Sequence, residues 1–202
     1  MIPKIRFKGF TDAWEQRKLG EICHSFEYGL NVSAKDFDGT NKYLRITDID
    51  DESRLFIDTG ITSPDCDLKQ FSNYILKKGD IVFARTGASV GKTYIYNIKD
   101  GIVYYAGFLI RGRVKEGFFP DFIFNSTLTK HYEKFVLITS QRSGQPGINA
   151  QEYSSFELST PQYGEQKCIG HFLLSIDHLI TLHQRKLNYF FAQPIILKQD
   201  SR

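Results

Sequence analysis

Two stretches carry side chains at spacings that suit chemistry. The first, Gly87 to Thr93, reads GASVGKT. A glycine loop closed by Lys-Thr suits phosphate, because successive backbone amides wrap the oxyanion and the lysine neutralises it. That geometry requires four residues between the glycines and a helix opening behind the lysine. Only Ala88, Ser89 and Val90 separate Gly87 from Gly91, and β-branched and aromatic residues follow Lys92. The spacing therefore predicts a hairpin connection that exposes Arg85, Thr86, Ser89 and Lys92. A nucleotide-dependent enzyme built on this loop is the alternative, and its mark would be ATP binding lost in Lys92→Ala. The second stretch, Gln141 to Asn149, reads QRSGQPGIN. Its glycines and proline predict a structured turn. Arg and Gln on a rigid turn read base edges, Arg pairing with guanine and Gln with adenine through two hydrogen bonds. Ordinary surface turns use the same residue types, so the chemistry alone is a weak signal. Gln141, Arg142, Ser143 and Gln145 join the first set as candidate base readers or backbone clamps, with Tyr28, Asn31 and Lys42 as a second tier.

Other constellations fall short. There is no G-x-S-x-G elbow. His171, His178 and His183 lie in one helical stretch, but without the spacings of three or four and the further ligand that zinc needs. Three cysteines, Cys23, Cys66 and Cys168, are odd in number and widely spaced, which suits neither a disulfide framework nor a zinc pattern. The residues assemble no methyltransferase or nuclease constellation and no metal or cofactor site, and the cysteines predict a reducing cytoplasm. Lys4, Arg6 and Lys8 break the first apolar cluster, so no signal peptide is expected, and no apolar run reaches membrane-spanning length. A net charge of +3 permits an acidic partner without demanding one.

The elements that must position these residues follow from the pattern. Asp12 and Glu15 have capping-box spacing, predicting a short helix through Trp14 and Lys18 that ends at Leu19 and Gly20, with Trp14 in the core. Cys23 to Lys42 reads as loop, with at most a short strand. Tyr43 to Ile49 alternates and reads as a strand. A helical turn fits Leu68 to Phe71. Strands follow in DIVFAR, KTYIYNI, IVYYA and GFLIRGRV, and their short connections imply a largely antiparallel sheet. Pro120 fits the first position of a helix over about Asp121 to Leu137, with Phe124, Leu128, Tyr132 and Phe135 on one face. Phe156 to Thr160 is a short strand, ended by Pro161.

Tyr163 to Phe191 is the organising element. Ile169, Leu173, Ile176, Ile180, His183, Leu187 and Phe190 step alternately by four and three, the period of a seam that faces a partner helix. At about 1.5 Å per residue the helix spans roughly 40 Å. The expected fold is α+β: a mainly antiparallel β domain with helices over 1–162, a coiled-coil arm over 163–191 and a tail over 192–202 in which Pro194 breaks the helix.

Several pieces in one order carry a resemblance: PKIRFKGFTDAWEQRKLGEI, YLRITDI, LKKGDIVFARTGASVGK, FFPDFI, SGQPGIN and TPQYGEQKCIG. Together they resemble the specificity (S) subunit of type I restriction–modification systems over about residues 2 to 190. The resemblance implies one target-recognition domain reading half of a split double-stranded DNA sequence. It also implies a helical spacer around which modification (methyltransferase) subunits dock, with a restriction subunit joining through the complex. Methyl transfer and cleavage then belong to those partners. The full-length family member has two recognition domains and two spacer helices, where this sequence has one of each.

A seam of Ile169, Leu173, Ile176, Ile180, His183 and Leu187 left in water would be costly. At about 0.025 kcal/mol per Å2, covering roughly a few hundred Å2 drives association by several kcal/mol before its costs. The expectation is a homodimer with antiparallel helices and half-sites roughly one DNA turn, about 34–36 Å, apart.

Overall fold

In the structure, a computed structural model, residues 3–191 are described, with side chains through Leu187. The Phe190 side chain and the expected tail over 192–202, Pro194 included, lie outside the described residues.

Glu15–Lys18 form a strand, β1, and not the expected capped helix. A capping box contributes only about 1 kcal/mol, whereas β1 pairs antiparallel with Glu157–Thr160 over four residues and Gln16 donates to Glu157 across the pair. The helix comes one step later, as α1 (Leu19–Ile22), whose Leu19 and Ile22 are both fully buried. The stretch expected as loop holds β2 (Cys23–Tyr28), β3 (Ala34–Asp36) and the start of β4 (Asn41–Leu44), whose last two residues open the strand expected from Tyr43. Their hydrophobic alternation is faint because β3 is exposed throughout and β2 lies on a sheet edge with polar residues facing water. Beyond Leu44 the expected strand breaks off. Asp48 folds back to accept from the Arg45 amide and guanidinium at 2.8–2.9 Å, forcing a 3-10 turn over Ile46–Asp48.

β5 (Thr62–Pro64) pairs with β3, and a 3-10 turn at Leu68–Gln70 sits where a helical turn was expected. Next come β6 (Asp80–Ala84), a 3-10 turn at Gly87–Ser89, β7 (Thr93–Ile95), β8 (Ile102–Tyr105) and β9 (Leu109–Val114). The main sheet has the order β2-β9-β6-β7, antiparallel throughout as expected. β8 departs from it and runs parallel to β4, with Asn41 opposite Ile102.

The helix expected over Asp121 to Leu137 is two: α2 (Pro120–Ser126) and α3 (Lys130–Thr139). Thr127 breaks it. Its hydroxyl bonds back to the Phe124 carbonyl at 2.7 Å and pairs with Thr93 of β7 at 2.8 Å, while Thr129 caps α3. Leu128, expected on the buried face, is therefore turned outward and exposed. α4 (Ala150–Ser154) starts with a capping box between Asn149 and Glu152, and Glu157–Thr160 is β10.

The core lies on both faces of β6. Ile81 and Phe83 pack with Ile22, Ile110, Phe122, Ile123, Tyr153 and Phe156. Val82 and Ala84 pack with Leu44, Ile49, Tyr94, Val103 and Tyr105 on the other side. Burial on both faces explains why β6 reads as one continuous apolar run.

α5 (Tyr163–Phe191) begins inside this body and leaves it. Glu165 and Gln166 are buried, and the Gln166 side chain accepts from the Phe119 amide at 2.9 Å. Gly170 is pressed on Phe119: a Cβ there would stand 2.5 Å from the ring. Ile169, expected in the partner-facing seam, packs on its own core cluster instead, because the first two turns are still docked on α2. Past Gly170 the character changes. Leu173 is half-buried; Ile176, Ile180, His183 and Leu187 are exposed, as are Phe172 and Leu179 beside them. Residues 3–14 strap the base of this helix. Arg6 grips Glu165 with two bonds of 2.9 and 2.6 Å, and the Trp14 indole N–H donates to the same carboxylate at 3.2 Å. Phe7 meets Phe172 edge-on, and Gln162 donates to Asp12. Trp14 is partly buried against Phe122, near the core position expected of it.

Candidate nucleic-acid interface

The two candidate loops, far apart in sequence, form one structure. Thr86 and Gly147 make an antiparallel bridge; the Ile148 amide donates to the Arg85 carbonyl at 2.9 Å, and the Gly87 amide to the Pro146 carbonyl at 3.0 Å. Gly87 has φ +70°, and a Cβ on it would come within 3.1 Å of the Gln145 amide, so glycine serves both the turn and the contact. Between the loops lies an open concavity of about 250 Å3 lined by Arg85, Thr86, Arg142, Gln145 and residues 146–149.

Each loop is pinned from below. The buried Tyr153 hydroxyl of α4 donates to the Ala84 carbonyl at 2.6 Å and accepts from the Gly91 amide at 3.0 Å, closing the base of the first loop. Burial pushes the Tyr153 hydroxyl far above its ordinary range, so it stays a neutral donor. Arg85 lies over the Tyr28 ring, 4.9 Å from its centroid, and the Tyr28 hydroxyl accepts from the Ala150 amide. Tyr28, from the second tier, thus orients a first-tier side chain.

The other candidates divide. Gln141, Ser143 and Gln145 are exposed on the second loop. Arg142 is exposed too, but its fork is occupied by the Thr139 and Gln141 carbonyls and by the Glu152 carboxylate, which ties the loop to the ends of α3 and α4. Ser89 is half-buried in the 3-10 turn, where its carbonyl accepts the Lys92 amide. Lys92 is not exposed as expected. It is 8 % accessible, with its ammonium on the Ile49 carbonyl at 3.0 Å and on Asp51 at 2.6 Å. The cause is local: Lys92 immediately precedes a buried strand and points to the face where the Ile49–Asp51 turn offers oxygens. Asn31 packs against Gly107, beside Phe108, whose carbonyl accepts the Arg85 amide. Lys42 sits elsewhere, over Phe56. No helix follows GASVGKT; β7 starts at Thr93, as the spacing predicted. Among the described residues, no group of three or more His, Cys, Asp and Glu side chains comes together as a metal set.

Sequence reasoning missed Tyr153, Glu152 and Phe108. The capping box of Asn149 and Glu152 was visible as spacing, but Tyr153 reads only as one more apolar residue of a short helix.

Two pinned loops border a polar concavity, and a helix leaves the body with an apolar edge. The sequence profile of the type I restriction modification DNA specificity domain matches residues 11–189, and the chain belongs to that family. Solved structures share the fold. The HsdS subunit from Thermoanaerobacter tengcongensis superposes with a TM-score of 0.58 at 17% identity, covering 92% of this chain and 42% of that one. The type I restriction-modification S subunit from M. genitalium gives 0.62 at 14% identity, covering 88% and 42%. A chain from a structure described as showing complex assembly and conformational transition of the type I R-M system gives 0.61 at 17% identity, covering 93% and 43%. The chain thus spans less than half the length of each of these structures.

Proposed function

We propose that this chain reads one half of a split double-stranded DNA target within a type I restriction–modification complex. The observation that carries this is the fusion of the Arg85–Ser89 turn and the Gln141–Asn149 loop into one pinned, polar concavity. Side chains carried on a pinned backbone, with Arg85 laid on the Tyr28 ring, lose less entropy on meeting base edges than those of a loose loop. Family membership supports the same reading. Arg85, Thr86, Gln141, Ser143 and Gln145 are the proposed contacts. Lys92, Arg142 and Ser89 hold the loops that present them.

The arm supplies the assembly. Leu173, Ile176, Ile180, His183 and Leu187 form an edge along α5 that we assign to a second helix, either of an identical copy or of a modification subunit. The catalytic work of such a complex, methyl transfer and cleavage, falls to the modification and restriction subunits. Methylome sequencing of a host that carries this chain with its modification subunit tests the function: a methylated, interrupted motif absent from the host without the chain is expected. Its absence would refute the reading. Sedimentation tests the arm, with a dimer expected at tens of micromolar and a monomer counting against self-pairing. A second reading, an associating subunit that modulates other copies without reading DNA alone, is favoured by the exposed edge itself. Gel shifts with and without modification subunits separate the two.

A further inference from the structure

One backbone hydrogen bond away from the lining of the concavity is an exposed aromatic residue, Phe108. Phe108 lies in the tight turn joining β8 to β9, closed by a 2.8 Å bond from the Leu109 amide to the Ala106 carbonyl. Its side chain is 59% exposed and belongs to none of the three core clusters.

The turn is held from two sides. Behind it, the Gly29 amide donates to the Leu109 carbonyl at 3.0 Å, and Asn31 reaches within 3.3 Å of where a Cβ on Gly107 would stand. The approach is so close that a Cβ on Gly29 would overlap the Ala106 carbonyl oxygen at 2.1 Å. In front, the Arg85 amide donates to the Phe108 carbonyl at 3.0 Å. Phe108 is therefore bonded through its backbone to a residue that lines the concavity. On the neighbouring strand β2, Tyr28, opposite Ile110, is 44% exposed and lies under the Arg85 guanidinium. A fixed turn that offers a large ring to water is unfavourable in the free protein. The same fixed turn costs little entropy when the ring meets a partner.

We propose that Phe108 is a base-contacting residue, its ring set against the base faces or thymine methyls of DNA bound over the concavity. This rests on the DNA reading above and adds to it a contact that polar loops cannot make. Phosphates and base edges take hydrogen bonds from Arg85 and Gln145, whereas a phenyl ring gains only from apolar or stacked surface. Insertion of such a ring between base steps is one form of that contact.

The test uses the full chain with its modification subunit and a pool of duplexes of randomised sequence. The wild type is expected to enrich a motif. Phe108→Ala is expected to bind that motif about ten-fold more weakly, within the range that stacking on one base supplies. Its binding to an unrelated duplex, its salt dependence and its Tm should stay at wild-type values. Equal binding of the motif by both proteins overturns the inference while the DNA reading stands. Loss of the modification subunit with unchanged DNA binding also overturns it, making Phe108 a protein contact. A lower Tm with specific and non-specific binding falling together marks a structural role and overturns it, once Phe108→Leu, which keeps bulk at the turn, has restored both. A wild type that enriches no motif defeats the DNA reading and this inference with it.

Discussion

At the scale of single residues, buried polar atoms decide the shape of the candidate interface. Tyr153 is the clearest case. Its hydroxyl ties the Ala84 carbonyl and the Gly91 amide, though a direct bond of 3.0 Å between those two groups remains without it. Tyr153→Phe is therefore expected to cost about 1–2 kcal/mol in urea unfolding, with faster amide exchange at Gly91. Asp38 gives a prediction in pH. The Asn41 side chain and amide and the Thr40 amide donate to its carboxylate, holding its pKa at about 2. A folded pKa below the unfolded value, about 3.9, means that this contribution is complete above pH ~4 and is lost as pH falls through about 2. A carboxyl NMR titration should show that midpoint, and Asn41→Ala should move it upward. Lys92 shows how residue type misleads: a lysine in a glycine loop suggests an anion, yet its ammonium spends itself on Ile49 and Asp51 of the same chain.

At the scale of elements, what could be foreseen was what depends on local pattern. β6 announced itself as an apolar run, β10 ended before Pro161, and α5 has the bounds that its heptad steps predicted. Two of the errors share one physical cause. β1 was hidden because its partner, Glu157–Thr160, lies at the far end of the domain in sequence, and no local signal encodes that pairing. The split between α2 and α3 rests on Thr127 meeting Thr93, again a contact across the fold. Of the interface, the two loops were legible as residue types, but their fusion was not, nor was the role of Tyr153 beneath them. The base of α5 was misjudged likewise. Ile169 was expected in a partner-facing seam and packs on its own core, one turn past Glu165, the buried anchor of Arg6 and Trp14. Glu165→Gln should lower Tm by several degrees and release residues 3–14 to limited proteolysis, while a bystander role would leave the digestion pattern unchanged. Gly170→Ala sets two effects against each other. Better helix propensity gains about 1 kcal/mol, but a Cβ at 2.5 Å from the Phe119 ring forces repacking that costs about 1–3 kcal/mol. A net loss of thermal stability is expected.

At the scale of the whole molecule, charge and shape act together. A net charge of +3 is modest, so attraction to a polyanion depends on a few placed cations more than on a general field. Binding should weaken steeply with salt, and Arg85→Ala should reduce the slope of log affinity against log salt by about 1, while Lys92→Ala should leave that slope and lower stability. The strap and the β1–β10 pair have a consequence of another kind. Residues 12–18 and 157–162 run along a single hem, with Asp12 tied to Gln162, and α5 docks its first turns on α2 before it leaves the body. Everything that differs between one set of loops and another hangs from that hem like a cassette. An insert that kept this hem together with Phe119 and α2, on which the first turns of α5 dock, would inherit the arm's bearing, so the loops between them are the part free to vary.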